Sequence, residues 1–385
     1  MAVQIIQGNV ILPDRVLERG QVVVEDGIVA AVADDTRYSP TVDLGTHFIA
    51  PGFIDLHTHG IAGADTMDAT EESLAHMARR FAAHGVTGFL PTTVTHDTER
   101  TLAALRQVQR YMQTQPRREQ VEAQVLGIHL EGPWISAQFK GAQNERYIVP
   151  PTEESVRRIL AHGGGTLKIV SLAPELPGAE QAMEMLRRHG VYISLGHTGA
   201  TYEHVLRAIE LGATHITHCF NAMAPLHHRQ PGVVGAALLR DELYAELIAD
   251  GVHVHPDVMR LLLRVKGRER VMLITDSMSA AELPDGAYAL GGQEVFVRQG
   301  QARLRDGTLA GSTLTLDRAV WNMVHLCAVP LHEAVYMASA VPASAIGLVD
   351  RKGRIGAGYD ADFAILDAAL QPVRTVIAGR SAPMP

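Results

Sequence analysis

The feature that most constrains the fold of this 385-residue chain is a set of six polar side chains, each standing where a hydrophobic run ends. All six can bind a metal ion or move a proton beside one: His57, His59, Glu131, His197, His218 and Asp276. A (β/α)8 barrel builds its site in this way, with one or two side chains from the C-terminal ends of several different strands. The pattern therefore predicts a (β/α)8 barrel of the TIM type with a metal-dependent site at one end.

The middle of the chain alternates between apolar runs and amphipathic helices. Near-continuous apolar runs are typical of parallel strands that are buried on both faces. Eight segments each contain one run of this kind: FIDLHTHG, GVTGFLPTT, VLGIHLEG, LKIVSLAPE, YISLGHT, HITHCFNA, AELIADGVHV and RVMLITDS. Residues 51–349 are therefore predicted to form the barrel, with a hairpin-like insertion at 287–307.

Both ends of the chain have a different sequence pattern, with short β-rich runs broken by glycine and aspartate. The segment QVVVEDGIVAAVAD places Asp26-Gly27 between two valine-rich runs, which is a strong signal for a β-hairpin. The segments DADFAILDA and PVRTVIAGR look alike near the C-terminus, and chain ends often lie close together. Residues 1–50 and 350–385 are therefore predicted to pair into one small β-sandwich domain.

Composition argues against several classes of partner. The net charge is −8 and no basic run of the kind that nucleic-acid binding requires is present, so no nucleic-acid partner is expected. No apolar stretch approaches the roughly 20 residues that span a bilayer, and no signal peptide is recognised, so no membrane association is expected. Two cysteines are too few for a disulfide framework and fit a reducing cytoplasm, which is the predicted location.

Five of the six strand-end residues make up the predicted metal-binding set. His57 and His59 lie two apart on a strand and therefore point to the same face. Glu131 closes an apolar strand, where a carboxylate is costly without a cation, and it can bind one metal or bridge two. His197 and His218 come from successive strands, and such a set leaves an open coordination position, as catalytic sites do. One or two divalent cations per subunit are predicted, with zinc or iron favoured among the metals that such ligands accept.

Asp276 is predicted to act as the general base. Metal binding lowers the pKa of water from about 15.7 to roughly 7, and a nearby carboxylate can then accept its proton and later protonate a leaving amine. His129 and His215 lack the strand-end position and are predicted to be structural or to support the ligands. Lys168 begins its strand instead of ending it, which argues against a carbamylated lysine between two metals.

A series of motifs runs along the chain in the order PGFIDLHTHG, HLEGPW, KGAQ, SLAPE, GHTGAT, THCFNAM, DGVHV, TDSMSA, LAGSTLTL and MASAVPASAIGL. This series resembles the motifs of N-acetylglucosamine-6-phosphate deacetylases in the amidohydrolase superfamily. The resemblance covers nearly the whole chain, including the terminal β segments. It implies hydrolysis of N-acetyl-D-glucosamine 6-phosphate to D-glucosamine 6-phosphate and acetate, in amino-sugar catabolism or cell-wall recycling. Some members lack the His-x-His pair and work with one metal, whereas this chain keeps both histidines, which favours a two-metal site.

The resemblance also implies a set of substrate contacts. Arg229 and His253 match positions that hold the sugar phosphate and hydroxyls, and the planar guanidinium of Arg229 suits a phosphate, which it is expected to reach in the neighbouring subunit of a homodimer. Other members have histidine at the position of Gln143, so polarisation of the acetyl carbonyl is expected to rest more on the metal here. The remaining implied contacts are Ala142, Asn221, Ala222, Leu309, Ala310 and Gly311.

Two other functions stay open on the sequence alone. One is another metal-dependent amidohydrolase, either a cyclic amidase such as dihydroorotase or a deaminase. The position of Lys168 and the presence of Arg229 with FNAM count against it. The other is a catalytically inactive scaffold on the same fold. It is ranked last because every predicted ligand and the predicted base are present.

Overall fold

The computed structural model describes residues 3–34 and 37–383, so the outermost residues of both predicted terminal segments lie outside the described residues. The strands in these ranges are β1 (Val3–Ile11), β2 (Val16–Glu25), β3 (Ile28–Ala33), β4 (Val42–Pro51), β5 (Phe53–Thr58), β6 (Gly60–Ile61), β7 (Ala64–Asp65), β8 (Val86–Pro91), β9 (Gln124–Val125), β10 (Ile128–Glu131), β11 (Leu167–Leu172), β12 (Tyr192–Leu195), β13 (Ala213–Ile216), β14 (Tyr244–Ile248), β15 (Val271–Ile274), β16 (Gly286–Leu290), β17 (Gln293–Arg298), β18 (Gln301–Arg303), β19 (Phe363–Leu366), β20 (Pro372–Ile377) and β21 (Arg380–Ser381).

The helices lie in the middle segment, where the first eight each follow a strand and the last two follow the eighth helix directly. They are α1 (Glu71–Ala83), α2 (Thr98–Thr114), α3 (Glu153–Gly163), α4 (Ala179–Arg188), α5 (Tyr202–Glu210), α6 (Gly232–Leu239), α7 (Pro256–Lys266), α8 (Leu316–Cys327), α9 (Leu331–Ala338) and α10 (Ala340–Ala345). Helix α1 shows how their ends are set: the Thr70 side chain accepts from the backbone N–H of Ser73 at the start, and Gly85 follows the end with a φ of +77°. None of the described helices combines the length and the apolar character needed to cross a membrane.

Strands from both chain ends lie in one seven-stranded sheet with the order β21–β20–β19–β4–β1–β2–β3. Strand β4 joins the two ends, because it pairs in parallel with β1 and antiparallel with β19. The β2–β3 turn has positive φ at both Asp26 (49°) and Gly27 (81°), as a type I′ hairpin requires, so the hairpin prediction is confirmed. Val10, Ile49 and Phe363 belong to a core that this sheet forms separately from the rest of the chain.

Eight parallel strands form the centre of the middle segment. Six of them, β10 to β15, make one sheet in sequence order, and β5 pairs in parallel with β8 in another. Parallel bridges from Thr92 to His129 and from Thr58 to Ser277 connect the two sheets at both edges. Each of these eight strands is followed by one of the helices α1 to α8. The strands therefore follow one another in cyclic order, and their C-terminal ends meet on one side.

The insertion between β15 and α8 contains one strand more than a hairpin. Strands β16, β17 and β18 form a three-stranded antiparallel sheet, where the sequence predicted a hairpin-like element. The second turn is tight because Gln299 and Gly300 both adopt positive φ, of 53° and 70°. This sheet and the segment after it reach the C-terminal ends of the parallel strands.

Candidate metal centre and active site

The six predicted residues converge at the C-terminal ends of five parallel strands. His57 lies in β5 and Glu131 ends β10, and all six residues are at most 8% exposed. His197, His218 and Asp276 each follow the end of their strand by two residues and adopt left-handed backbone conformations, with φ of 47°, 28° and 49°. Non-glycine residues reach this region at a cost, and such strain clusters at functional sites.

The side chains form two groups, and Glu131 lies between them in contact with both. In one group, Glu131 Oε1 lies 3.1 Å from His197 Nε2 and 3.1 Å from His218 Nε2. In the other, Asp276 Oδ1 lies 3.1 Å from His59 Nε2 and 3.5 Å from His57 Nε2. Glu131 also faces the second group, with Oε1 3.5 Å from His57 Nε2 and Oε2 3.4 Å from His59 Nε2. Within each group the possible ligand atoms lie within 4.8 Å of one another.

The imidazoles are oriented from outside this cluster. His59 Nδ1 lies 3.3 Å from the carbonyl oxygen of Thr92, and His197 Nδ1 lies 2.9 Å from that of Phe139. Because a carbonyl oxygen only accepts, each Nδ1 carries the hydrogen and each Nε2 is left for the centre. His57 Nδ1 is held by a carboxylate instead, with Glu246 Oε2 at 2.9 Å.

The donor set fits a divalent cation. His57 Nε2 is buried and has no hydrogen-bond partner among the described residues, although two carboxylates face it. Imidazole nitrogens and carboxylate oxygens are ligands that zinc and other first-row divalent metals accept. Both groups could therefore hold a metal ion, the first through Glu131, His197 and His218.

The electrostatics of the cluster also favour a positive charge at its centre. Burial lowers the pKa of His59, but hydrogen bonds and the charges of Asp276 and Glu131 outweigh it and raise that pKa to about 10. Burial raises the pKa of Asp276, but the positive charge of His57 and the contact with His59 prevail and bring it to about 2. A bound cation would take the place of protons on these imidazoles, so metal binding and proton release are linked.

The supporting residues include two carboxylates that the sequence analysis did not select. Glu246 in β14 is fully buried against His57, and Asp55 in β5 accepts from the Thr275 hydroxyl at 2.6 Å. Burial raises the pKa of Asp55 to about 7, with the hydrogen bond from Thr275 opposing it. In the sequence, each could have been noticed as a single acidic residue inside an apolar run.

The residues predicted not to bind metal occupy different places. His129 Nδ1 lies 2.9 Å from the Leu56 carbonyl oxygen, and its Nε2 lies 2.7 Å from the Ser171 hydroxyl. Burial, and then the charge of His57, lowers the pKa of His129 to about 3, so the ring is neutral. Its ring nonetheless lies close enough to His57 and Glu246 to form a third group of possible ligand atoms. Lys168 is the second residue of β11, away from the strand ends.

A cavity of about 230 Å³ opens over the cluster. Of the predicted substrate contacts, the cavity wall includes Ala142, Gln143, Asn221, Ala222, His253, Leu309 and Gly311. Ala310 is fully buried, and Arg229 is exposed on a loop with its Nη1 2.7 Å from His228 Nε2, so neither lines the cavity of this chain. The insertion and the following segment add Leu290 and Thr308, which the sequence analysis did not select.

Gln143 is bonded at both ends of its amide. Its Oε1 accepts from the backbone N–H of Thr95 at 2.7 Å, and its Nε2 donates to Glu131 Oε2 at 2.6 Å. His253 is also held by the protein, with Nδ1 2.6 Å from Asp250 Oδ2. The walls of the cavity are thus fixed by hydrogen bonds before any ligand enters.

Comparison with known proteins gives consistent results. The amidohydrolase family model matches residues 48–382. An N-acetylglucosamine-6-phosphate deacetylase from Lysinibacillus sphaericus is 42% identical over 94% of this chain and 93% of its own length, and an N-acetylgalactosamine-6-phosphate deacetylase from Escherichia coli O157:H7 is 40% identical over 95% of each chain. The solved structure of an aspartate-to-alanine variant of N-acetyl-D-glucosamine-6-phosphate deacetylase from Mycobacterium smegmatis, in complex with N-acetyl-D-glucosamine-6-phosphate, superposes with a TM-score of 0.93 at 34% identity, covering 99% of each chain.

Proposed function

The chain belongs to the amidohydrolase family, and we propose on this basis that it hydrolyses the amide bond of N-acetyl-D-glucosamine 6-phosphate. The products are D-glucosamine 6-phosphate and acetate, and the reaction belongs to amino-sugar catabolism. The observation that carries the proposal is the convergence of Asp276 with four imidazoles and Glu131 at the floor of a cavity, in a chain whose relatives of that name match over almost their full length.

The metal ligands in this proposal are His57, His59, Glu131, His197 and His218. A divalent cation bound there supplies Lewis acidity, which lowers the pKa of water to roughly 7 and polarises a carbonyl group. The two groups of ligand atoms support two cations, for which Glu131 would be a shared ligand, and zinc or iron is the metal we favour.

Asp276 is the proposed proton carrier. Its carboxylate lines the cavity and is ionised, so it can accept the proton of the attacking water. It returns that proton to the amide nitrogen as the C–N bond breaks, which gives an amine and acetic acid. The proton that acetic acid then loses is balanced by the one that the amine gains, so the products leave as acetate and an ammonium group. Gln143, through its hydrogen bond to Glu131 Oε2, holds the Glu131 carboxylate in place.

The sugar is proposed to bind along the cavity wall. Asn221 and His253 are placed to contact hydroxyl and phosphate oxygens, with Gln143 as a further contact. Ala142, Ala222, Leu309, Ala310 and Gly311 complete this proposed set. Arg229 lies outside the cavity of its own chain, and we propose that it binds the phosphate in the neighbouring subunit of a homodimer.

Finer features of the architecture complete the proposal. The cyclic order of the eight strands supports a closed (β/α)8 barrel within residues 51–349. The single terminal sheet, which carries a hydrophobic cluster of its own, supports a small domain made of residues 1–50 and 350–385, for which we propose a β-sandwich. The two cysteines, Cys219 and Cys327, are buried and unpaired, which supports a cytoplasmic location.

Two alternatives are kept for the substrate. N-acetyl-D-galactosamine 6-phosphate, which differs only in the configuration at C4, is favoured by the relative of that name at 40% identity. A cyclic amide or a deaminase substrate is the more distant alternative, since this family includes several reaction types. All three classes make different demands on the cavity wall but use the same metal centre.

The test is acetate release from the two 6-phosphates and from unphosphorylated N-acetylglucosamine, with ring opening of cyclic amides followed in parallel, on metal-quantified protein with and without a chelator. We expect rapid, chelator-sensitive turnover of N-acetylglucosamine 6-phosphate. Asp276→Asn is expected to retain bound metal and to lose at least 100-fold in turnover, because general acid–base catalysis contributes roughly 10²–10⁴-fold. Near-normal turnover by this variant would contradict the mechanism, and no turnover of any acetylated sugar by fully loaded wild-type protein would refute the function.

A further inference from the structure

Glu246 is a buried carboxylate that has no place in the ligand set described above. It lies in the middle of β14, is completely shielded from solvent and does not line the cavity. Its Oε2 lies 2.9 Å from His57 Nδ1 and also accepts the backbone N–H of His218 at 3.0 Å. One oxygen thus contacts a residue from each of the two groups of metal ligands.

The contact with Glu246 decides which nitrogen of His57 is free. An ionised carboxylate only accepts hydrogen bonds, so a ring hydrogen lies on Nδ1, and the neutral ring, which is the form that binds a metal, has its lone pair on Nε2. This lone pair faces Glu131 Oε1 and Asp276 Oδ1, each 3.5 Å away. Three acceptor atoms that face one another are stabilised by a proton or a metal cation between them, and the ring of His57 is fixed in the orientation that supplies the nitrogen ligand.

His57 differs in this respect from the neighbouring histidines of the site. The acceptors for the Nδ1 hydrogens of His59 and His197 are neutral backbone carbonyl oxygens, whereas the acceptor for His57 is a charged side chain. A charged acceptor makes the stronger hydrogen bond and increases the electron density on the opposite ring nitrogen. We therefore expect Nε2 of His57 to be a stronger donor to a metal ion than Nε2 of His59.

We propose that Glu246 is a positioning residue that orients His57 and strengthens it as a metal ligand, so that the cation bound by His57 and His59 depends on Glu246. The inference rests on the proposed metal-dependent function. Glu246 acts through His57 and touches neither the cavity nor the reacting atoms. Carboxylates that orient a ligating histidine typically change metal affinity by about 10–100-fold when they are replaced.

The first test is the metal affinity of Glu246→Gln, measured by competition with a chelator and by metal analysis on Co²⁺-loaded protein. Glutamine keeps an oxygen that can accept from His57 and His218 but removes the charge. We expect one of two cations to bind about 10–100-fold more weakly and the visible absorption of that Co²⁺ site to be lost, while the other cation keeps its affinity. Glu122→Gln is the control, because Glu122 is a buried carboxylate bonded to Tyr111 that contacts none of the proposed ligands.

Unchanged affinity and stoichiometry in folded Glu246→Gln protein would overturn the proposal, because a purely structural carboxylate affects stability and leaves metal binding alone. A second measurement, on wild-type protein, does not depend on the folding of Glu246→Gln: the ¹⁵N spectrum of the metal-loaded histidines, in which the His57 signals are assigned by their loss in His57→Asn, should show the His57 hydrogen on Nδ1. A hydrogen on Nε2 would overturn the proposal independently. Neither readout uses acetate release, so a protein that binds metal in this way but deacetylates no sugar would refute the proposed function and leave this inference intact.

Discussion

A charged cluster joins the C-terminal end of α1 to the loop that follows Asp276. His84 lies between two carboxylates, with Nε2 2.5 Å from Glu282 Oε1 and Nδ1 3.0 Å from Asp317 Oδ1. Arg80 adds two hydrogen bonds to Glu282, of 2.8 and 2.7 Å. Burial lowers the pKa of His84, but the hydrogen bonds to Asp317 and Glu282 outweigh it and raise that pKa to about 9.

This raised pKa predicts how the stability of the protein depends on pH. In the unfolded chain the imidazole of His84 titrates near pH 6.5, so protonation stabilises the folded state fully below about pH 6.5. The stabilisation is lost as the pH rises through about 9. The difference between the two pKa values corresponds to about 3 kcal/mol of unfolding free energy. Burial raises the pKa of Glu282, but His84 and Arg80 bring it to about 2, so Glu282 stays ionised throughout this range.

The perturbation is His84→Asn, which removes the titrating ring but keeps a polar side chain. Unfolding free energies of wild type and variant are measured in urea between about pH 6 and pH 9.5, at constant saturating metal. We expect the advantage of the wild type to shrink by about 3 kcal/mol over this range. His189→Asn is the matched control, because His189 is exposed and its ring is bonded to the Met185 carbonyl oxygen and not to a carboxylate among the described residues. An advantage that stays constant or grows with pH would refute the reasoning.

Two further predictions concern the surroundings of Glu131. Gly132→Ala is expected to weaken metal binding and turnover by roughly tenfold or more, because the new Cβ would lie 1.9 Å from Thr95 Oγ1 at a φ of +71° and displace the preceding carboxylate. Gly165→Ala, where a Cβ meets no atom within 4 Å, should match the wild type in metal content and turnover, and equal behaviour of the two variants would contradict the prediction. Gln143→Glu replaces the amide that donates to Glu131 with a second anion. We expect the repulsion between the two carboxylates to reorient Glu131 and to slow acetate release at saturating metal. A wild-type rate in this variant would show that Gln143 does not hold Glu131 in place.

Features that depend on short stretches of sequence were predicted well. The Asp26-Gly27 turn needs only its two residues and the strands beside them, and it forms the expected hairpin. The eight apolar runs coincide with β5, β8 and β10 to β15, because strand burial on both faces is visible in each run by itself. The extra strand of the insertion escaped prediction because β18 (Gln301–Arg303) is too short and too polar to stand out from a loop.

The supports of the site could not be predicted in the same way. The partner of Glu246 is 189 residues away in sequence, and the partner of Asp55 is 220 residues away, so no local pattern connects them. Each stands alone in a strand otherwise read as apolar, where a single acidic residue adds little to a periodicity. An energetic argument nevertheless shows that each must have a partner, because burying a carboxylate without one destabilises the folded state strongly. Every isolated acidic residue in a buried strand therefore predicts an unseen donor or cation.

The site departs from local rules at the points where its chemistry is concentrated. His197, His218 and Asp276 adopt a backbone conformation that their side chains disfavour, and tertiary hydrogen bonds hold two of them there: His218 through the carboxylate of Glu246, and Asp276 through the His57 carbonyl oxygen at 2.8 Å. Local propensity would place glycine or asparagine at such positions. Because the conformation turns each side chain inward from the end of its strand, the surrounding fold must supply the stabilisation that the local sequence lacks. The strand-end polar residues could therefore be recognised from the sequence, whereas the contacts that keep them in a disfavoured conformation become visible only in the folded chain.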